Sequence, residues 1–316
     1  MIKPVIIVCA YNEQDKIQCL LQALMAQTYG EFSVFLIDDG STDSTSAICR
    51  QFIDEHSLHH FHLIKKEHSG KEVSMREAIL SVNDENALIL TTDADCQPSA
   101  TWVECMAGVY EDSEAAMLIG PVAIDTRHPF QATEFLSIEA VTLGSAAIGC
   151  PLMCGGANLG FTRKAYIRAM EYMTHDFDNG GDMYFLEAVK RLGLTVSAVV
   201  SNDAMVVTRG ADSIKGFIRQ RTRWAGKAAN YTDRGIITAG FVTATVQIVM
   251  SVSLILAFAY PKSLYVWLVK IIADFIILGA TALIQKRARL IPYILPVSLV
   301  YPFYVTATLF ISLIRK

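Results

Sequence analysis

Between Ile236 and Tyr260 the sequence runs for 25 residues without one charged side chain. A helix needs only about 20 apolar residues to cross a hydrocarbon core, so this stretch is expected to span a bilayer. Leu264 to Ile284 is a second expected span, in which Lys270 and Asp274, four residues apart, can pair on one helix face. Ile291 to Ile314 is a third, with Pro292, Pro296 and Pro302 set to bend it or delay its start. The hydrophobic fraction of 52% is therefore an excess carried by the last quarter of the 316 residues, and the remainder must form a water-exposed body. Three crossings leave that body on the same side as the basic loop Lys286-Arg287-Ala288-Arg289, which the positive-inside rule makes the cytosol. Arg315 and Lys316 would then face outward, unless the third segment stops short of crossing.

The net charge of −4 carries no broad basic surplus, which speaks against nucleic acid as a partner. The seven cysteines are odd in number, and Cys9, Cys19 and Cys105 lie in apolar or helical surroundings, as expected in a reducing compartment. Cys150 and Cys154 lack the second pair that would complete a metal site, and His59-His60-Phe61-His62 lacks acidic or cysteine partners nearby. The apolar run from Val5 to Ala10 is too short for a signal peptide.

Within the water-exposed part, strands and helices alternate. Pro4 to Ala10 reads as a strand, followed by Tyr11-Asn12-Glu13 and a helix with apolar positions at Ile17, Leu20, Leu21 and Leu24. Phe32 to Ile37 is a second strand, and the turn Asp38-Asp39-Gly40-Ser41-Thr42-Asp43 can cap the helix after it. Phe61 to Ile64 leads through His68-Ser69-Gly70-Lys71 into a helix ending near Val82. The apolar run beginning at Leu88 then delivers Asp93 and Asp95 at its end. This spacing implies βαβ units and a mostly parallel sheet, whose strand ends gather their loops on one edge.

That edge collects Asn12 and Glu13, Asp38 and Asp39, Lys71, and Asp93 with Asp95. Paired carboxylates suit a hard cation such as Mg²⁺ or Mn²⁺ together with phosphate oxygens. Asp38 and Asp39 can accept from ribose or base groups, and Lys71 can meet phosphate as a point charge. Taken singly, the same residues also read as a turn, a helix cap and a surface lysine. Neither a Gly-x-Gly-x-x-Gly fingerprint nor a Walker A loop is present.

The segments Ala10-Tyr11-Asn12-Glu13, Asp38 to Asp43 and Asp93-Ala94-Asp95 together resemble the nucleotide-sugar half of a family 2 inverting glycosyltransferase of the GT-A fold. The resemblance implies an α/β architecture, a mixed, mostly parallel sheet with flanking helices, followed by an α-helical membrane region. It implies that Asp39 binds the nucleoside, with Tyr11, Glu13 and Asp38 completing the donor pocket. It implies further that Asp95 ligates the cation bridging the diphosphate and that Asp93 lies close to ribose or metal.

The second half of the water-exposed part extends the likeness. Cys154-Gly155-Gly156-Ala157-Asn158 resembles the family's acceptor-side segment, which implicates Gly156 and Asn158; on its own it is a tight turn entering a strand. Asp178 to Phe185 opens a helix expected to run to Leu192 and stop at Gly193, with Asp182 where the family has its general base. Many relatives carry an acid just before that aspartate, and this chain has Gly181. Gln220-Arg221-Thr222-Arg223-Trp224 matches the family's Gln-x-x-Arg-Trp pattern inside a basic amphipathic stretch from Ile214 to Lys227, which also reads as a helix at a membrane surface. It implicates Arg223 at the leaving diphosphate, and Gln220 and Trp224 beside the acceptor.

The expected organisation is a cytosolic GT-A domain over residues 1–210, an interfacial helix over 211–234 and a membrane region over 235–316. Such a chain would be a multi-pass protein of the inner cell membrane, moving a sugar from a nucleotide diphosphate sugar, UDP-linked in the first instance, to a lipid or lipid-linked hydroxyl. A processive polysaccharide synthase is the alternative, with a homo-oligomer or secretion partner supplying the channel that three spans are too few to enclose. A non-catalytic assembly component would be expected to have lost the metal acids, the base or the arginine, and a nucleotidyltransferase would not need Asp182 or the Gln220 to Trp224 segment. The stretch from Thr126 to Leu152 is the expected region of acceptor selectivity.

Overall fold

The computed structural model describes residues 2–173, 181–227 and 230–314. In chain order the elements are β1 (Val5–Ala10), α1 (Ile17–Met25), β2 (Ser33–Asp38), α2 (Thr45–Glu55), β3 (Phe61–Lys65), α3 (Lys71–Ser81) and β4 (Leu88–Thr91). Then come β5 (Gln97–Pro98), α4 (Trp102–Ser113), β6 (Met117–Ile119), β7 (Val122–Asp125), α5 (Pro129–Ala147), β8 (Leu159–Thr162), α6 (Arg163–Met170) and α7 (Gly181–Arg191). The chain continues through β9 (Val196–Ala198), β10 (Val206–Arg209), α8 (Ile214–Lys227), α9 (Arg234–Leu256), α10 (Tyr265–Ile284) and α11 (Ile294–Ile314). It forms two compact units, one of residues 1–123 and 142–208, the other of 124–141 and 209–316.

The first unit is built on a seven-stranded sheet in the order β3-β2-β1-β4-β8-β6-β9. The pairs β1–β2, β2–β3, β1–β4 and β6–β9 are parallel, while β8 runs antiparallel to β4 and to β6. The sheet is thus mixed and mostly parallel, as the alternation of elements predicts. Central strands are buried on both faces, which is why β1 and β4 read as continuous apolar runs rather than alternating ones. Ile6, Val8 and Leu90 pack with Leu20, Leu21 and Leu24 of α1 and with Trp102 and Met106 of α4. Each such side chain removed from water stabilises the fold by about 1.5–3 kcal/mol. β8 packs tightly at Gly160, where an added Cβ would lie 3.1 Å from Leu90, 3.1 Å from Met106 and 3.2 Å from Leu118, so a larger residue would push these side chains aside.

The reversal of β8 positions the site. Its first residue, Leu159, is in register with Thr91, the last of β4. The loop entering β8 therefore arrives at the same edge as the loops leaving β1, β2 and β4.

In the second unit, Ala132 and Leu136 of α5 pack with Leu278 and Ala282 of α10 and with Leu290 and Ile294. A nearly fully buried ion pair crosses this unit: Arg221 of α8 donates to both carboxylate oxygens of Glu134 at 2.9 and 2.6 Å. Its guanidinium lies over the rings of Phe217 and Trp224, 4.8 and 4.3 Å from their centroids. Three helical segments, Arg234–Leu256, Pro261–Ile284 and Ala288–Ile311, are long and apolar enough to cross a membrane. The first is capped by Asp233, whose side chain accepts from Ile236 N at 2.9 Å. Lys270 pairs with Asp274 on one face of α10 and also donates to the Ser298 carbonyl at 3.3 Å. Pro292 lies in a short 3₁₀ turn, and α11 starts only at Ile294, so the prolines delay that helix as expected.

Candidate active site

The edge of the first unit where β1, β2 and β4 end and β8 begins carries most of the expected polar residues. After β2 the chain turns at Gly40, at φ +76°, where a Cβ would lie 2.7 Å from the His68 amide nitrogen, so only glycine lets the two loops press together. Asp39 is buried, and its carboxylate accepts from Ser69 N and Gly70 N, each at 3.0 Å, and from Ser74 Oγ at 2.5 Å. Its Oδ2 also lies 2.9 Å from His68 Nδ1. Burial alone would raise the Asp39 pKa; the bonds from Ser74, Ser69 and Gly70, with the His68 charge, outweigh it and hold the group below its ordinary value. Asp38 is buried beside it and accepts from Ser41 N at 2.9 Å.

Tyr11 is exposed and stacks on His68, the ring centroids 4.2 Å apart. Asn12, in the left-handed region at φ 55°, accepts from Thr42 N at 2.9 Å. Glu13 ties the same loops by donating its N–H to Thr45 Oγ1 at 2.8 Å, and its side chain pairs with Lys16 at 2.9 Å. Turn residues after β1 and β2 thus fasten each other.

Lys71, the first residue of α3, pairs with Asp93. Ligand atoms of Asp93, Asp95 and Cys96 all lie within 4.8 Å of one another. Burial, then the Asp93 charge, raises the Asp95 pKa above its ordinary value, as expected of acids gathered at one point. The Cys96 thiol is pushed up by burial and by both acids, which leaves two carboxylates as the hard donors of the cluster.

Asp182 is the second residue of α7. Its Oδ2 accepts from Gly156 N at 3.0 Å and its Oδ1 from Met183 N at 2.9 Å. A Cβ on Gly156 would stand 3.8 Å from Asp182 Oδ2 and 4.0 Å from Lys71 Nζ, so the carboxylate and the ammonium both lie beside this glycine. Asp178 to Gly180, read with Asp182 as one motif, lie outside the described residues.

Asn158 is not brought to this surface. It is fully buried, accepts from Trp102 Nε1 at 2.8 Å, and donates to the Pro121 and Ala204 carbonyls, each at 2.8 Å. Gln220, Arg223 and Trp224 belong to the second unit. There Gln220 Oε1 accepts from Arg221 Nη1 at 2.8 Å, Trp224 lies against the Arg221 guanidinium, and Arg223 is exposed.

Ser69, Ser74 and His68, the partners of Asp39, and Glu72, whose carboxylate reaches Gly181, belong to none of the motifs above. A serine and glycine run before a helix was the available sign of the first group, because its N–H groups need an acceptor.

Residues 5–177 match the family profile described as Glycosyl transferase family 2. An N-acetylglucosaminyltransferase of Rhizobium meliloti is 25% identical over 235 residues, 70% of this chain and 54% of that protein. An undecaprenyl-phosphate 4-deoxy-4-formamido-L-arabinose transferase of Photorhabdus laumondii is 29% identical over 95 residues, 29% of each protein. The chain thus spans between about a third and about half of the curated relatives it matches. Among solved structures, the mannosyltransferase PcManGT of Pyrobaculum calidifontis, in complex with GDP-Man and Mn²⁺, superposes with a TM-score of 0.56 over 94% of this chain and 86% of that one, at 18% identity. At that identity the likeness is one of fold, and it is the GT-A fold. With the profile covering more than half of its length, the chain belongs to the family 2 glycosyltransferases.

Proposed function

We propose that this protein is a membrane-anchored, inverting glycosyltransferase that moves a sugar from a nucleotide diphosphate sugar, UDP-linked in the first instance, to a hydroxyl of a lipid or lipid-linked acceptor. The observation that carries the reading is the grouping of Asp182, Lys71 and Asp93 around the Gly156 backbone, in a chain with three apolar helices long enough to cross a bilayer. The name of the undecaprenyl-phosphate sugar transferase similar to part of the chain supports a lipid carrier on the acceptor side.

In this reading Asp182 takes the proton from the attacking hydroxyl, and one displacement inverts the anomeric centre. Lys71, with Arg223, meets the negative charge that develops on the departing diphosphate. Tyr11, Glu13, Asp38 and Asp39 form the nucleoside end of the pocket. Gly156, Gln220 and Trp224 border the acceptor, and Asn158 serves by bracing the segment that presents Gly156. Asp93 and Asp95 fit a divalent cation, Mg²⁺ or Mn²⁺, because they offer hard oxygen donors within 4.8 Å of one another. Such an ion supplies Lewis-acid neutralisation of the diphosphate; Mn²⁺ accompanies GDP-Man in the mannosyltransferase of similar fold. Residues 1–210 would then be the cytoplasmic catalytic domain, 211–234 an interfacial helix and 235–316 the anchor in the inner cell membrane.

The test is transfer by the detergent-purified protein, using radiolabelled nucleotide sugars, Mn²⁺ and extracted membrane lipids. The expected product partitions into organic solvent, is lost on chelation, and falls by about 10²–10⁴-fold in Asp182→Asn. Label retained in a large polymer would instead favour the processive synthase, with an oligomer or secretion partner completing its channel. No binding of any donor would overturn the enzyme reading in favour of an assembly component.

A further inference from the structure

Gly181 opens α7, and its N–H, like those of any first helical turn, has no acceptor within the helix. It donates instead to Glu72 Oε1 at 3.2 Å, from a residue 109 positions earlier in the chain. The approach is so close that a Cβ at position 181 would stand 2.0 Å from Glu72 Oε2 and 2.7 Å from Glu72 Cδ. No side chain fits there while Glu72 keeps its place.

We propose that Glu72 is a positioning residue for Asp182. The inference rests on the reading of Asp182 as the base. Asp182 follows Gly181 directly, and its two oxygens accept from Gly156 N and Met183 N, so its aim is set by where the start of α7 lies against the Gly156 loop. Glu72 fixes that start from α3, and a carboxylate at a helix N-terminus is also favoured by the helix dipole. Its chain neighbour Lys71 pairs with Asp93. Two consecutive residues of α3 therefore hold two parts of the site: Lys71 the acidic cluster, Glu72 the helix that carries Asp182. The glycine at 181 is the steric counterpart of this arrangement.

The full-length protein in detergent is compared with Glu72→Ala, Glu72→Gln, Gly181→Ala and the double variant Glu72→Ala/Gly181→Ala. Glu72→Ala should lower kcat by on the order of 100-fold, the scale of a small misplacement of a reacting group, with the donor KM little changed. Glu72→Gln, which keeps an acceptor for the Gly181 amide, should recover most of kcat. Gly181→Ala should match Glu72→Ala, and the double variant should be no worse than either, because both changes break one contact. Hydrogen exchange at the amides of Gly181 to Met183 should accelerate in Glu72→Ala and not in Glu72→Gln. Wild-type kcat and exchange in Glu72→Ala, or losses that multiply in the double variant, would overturn the proposal. Should the wild type transfer from no donor, the function reading falls, and the exchange measurement alone then decides whether Glu72 holds α7.

Discussion

Asn158 spends its whole side chain on the interior, bridging the indole of α4 to two carbonyls on separate loops. Asn158→Ala leaves a buried N–H and two buried carbonyls without these partners, at about 1–3 kcal/mol for each group left unsatisfied. The expected outcome is a loss of several kcal/mol in thermal unfolding, with the acceptor KM unchanged in protein that remains folded; a higher acceptor KM at unaltered stability would mean the side chain meets the ligand. The Gly155 to Gly160 segment announces close backbone packing in its own residue types. Whether Asn158 faces the ligand or the core is decided by the pairing of β8 with β4, across more than sixty residues, and no local pattern carries that. Gly181 is similar: as sequence it is a departure from the expected acid, and the distant Glu72 carboxylate occupies the space a side chain there would need.

Helix α8 shows the same division at the scale of an element. Its bounds, Ile214–Lys227, are those of the amphipathic stretch, because the 3.6-residue period is a local property. Residues two apart on a helix point in widely different directions, so Arg221 and Arg223 cannot share one environment. Arg221 is the inner one, held by Glu134 on α5, and Arg223 is exposed. Arg221→Met strands a buried carboxylate and is expected to cost about 3–5 kcal/mol. Arg223→Ala should leave stability within about 0.5 kcal/mol while lowering turnover. Denaturation and transfer assays on the two variants separate these roles, and equal stability losses would contradict the assignment. The partner of Arg221 lay beyond sequence reading, since nothing near Glu134 marks it as the inner acid.

For the molecule as a whole, the apolar helices α9 to α11 were the most legible part, because length and hydropathy are properties of consecutive residues. The uncharged run from Ile236 to Tyr260 corresponds to α9, which ends at Leu256, and the proline-rich entry moves the start of α11 from Ile291 to Ile294. With three apolar segments of 23, 24 and 24 residues, the protein should stay in the pellet after alkaline carbonate extraction and be released by detergent; release by carbonate would limit it to surface attachment. The parallel half of the sheet was also readable, each βα step being local. The reversed strand β8 was not, because its neighbours in the sheet are β4 and β6 rather than a strand adjacent to it in sequence. That reversal has a consequence for how such a chain can diversify. Loops leaving β1, β2 and β4 and the loop entering β8 converge on one edge, yet they belong to separate stretches of the gene. A lineage can rewrite the stretch before β8 without disturbing the register of β1, β2 and β4; under the proposed function, what receives the sugar is then free to drift while the grip on its carrier is inherited.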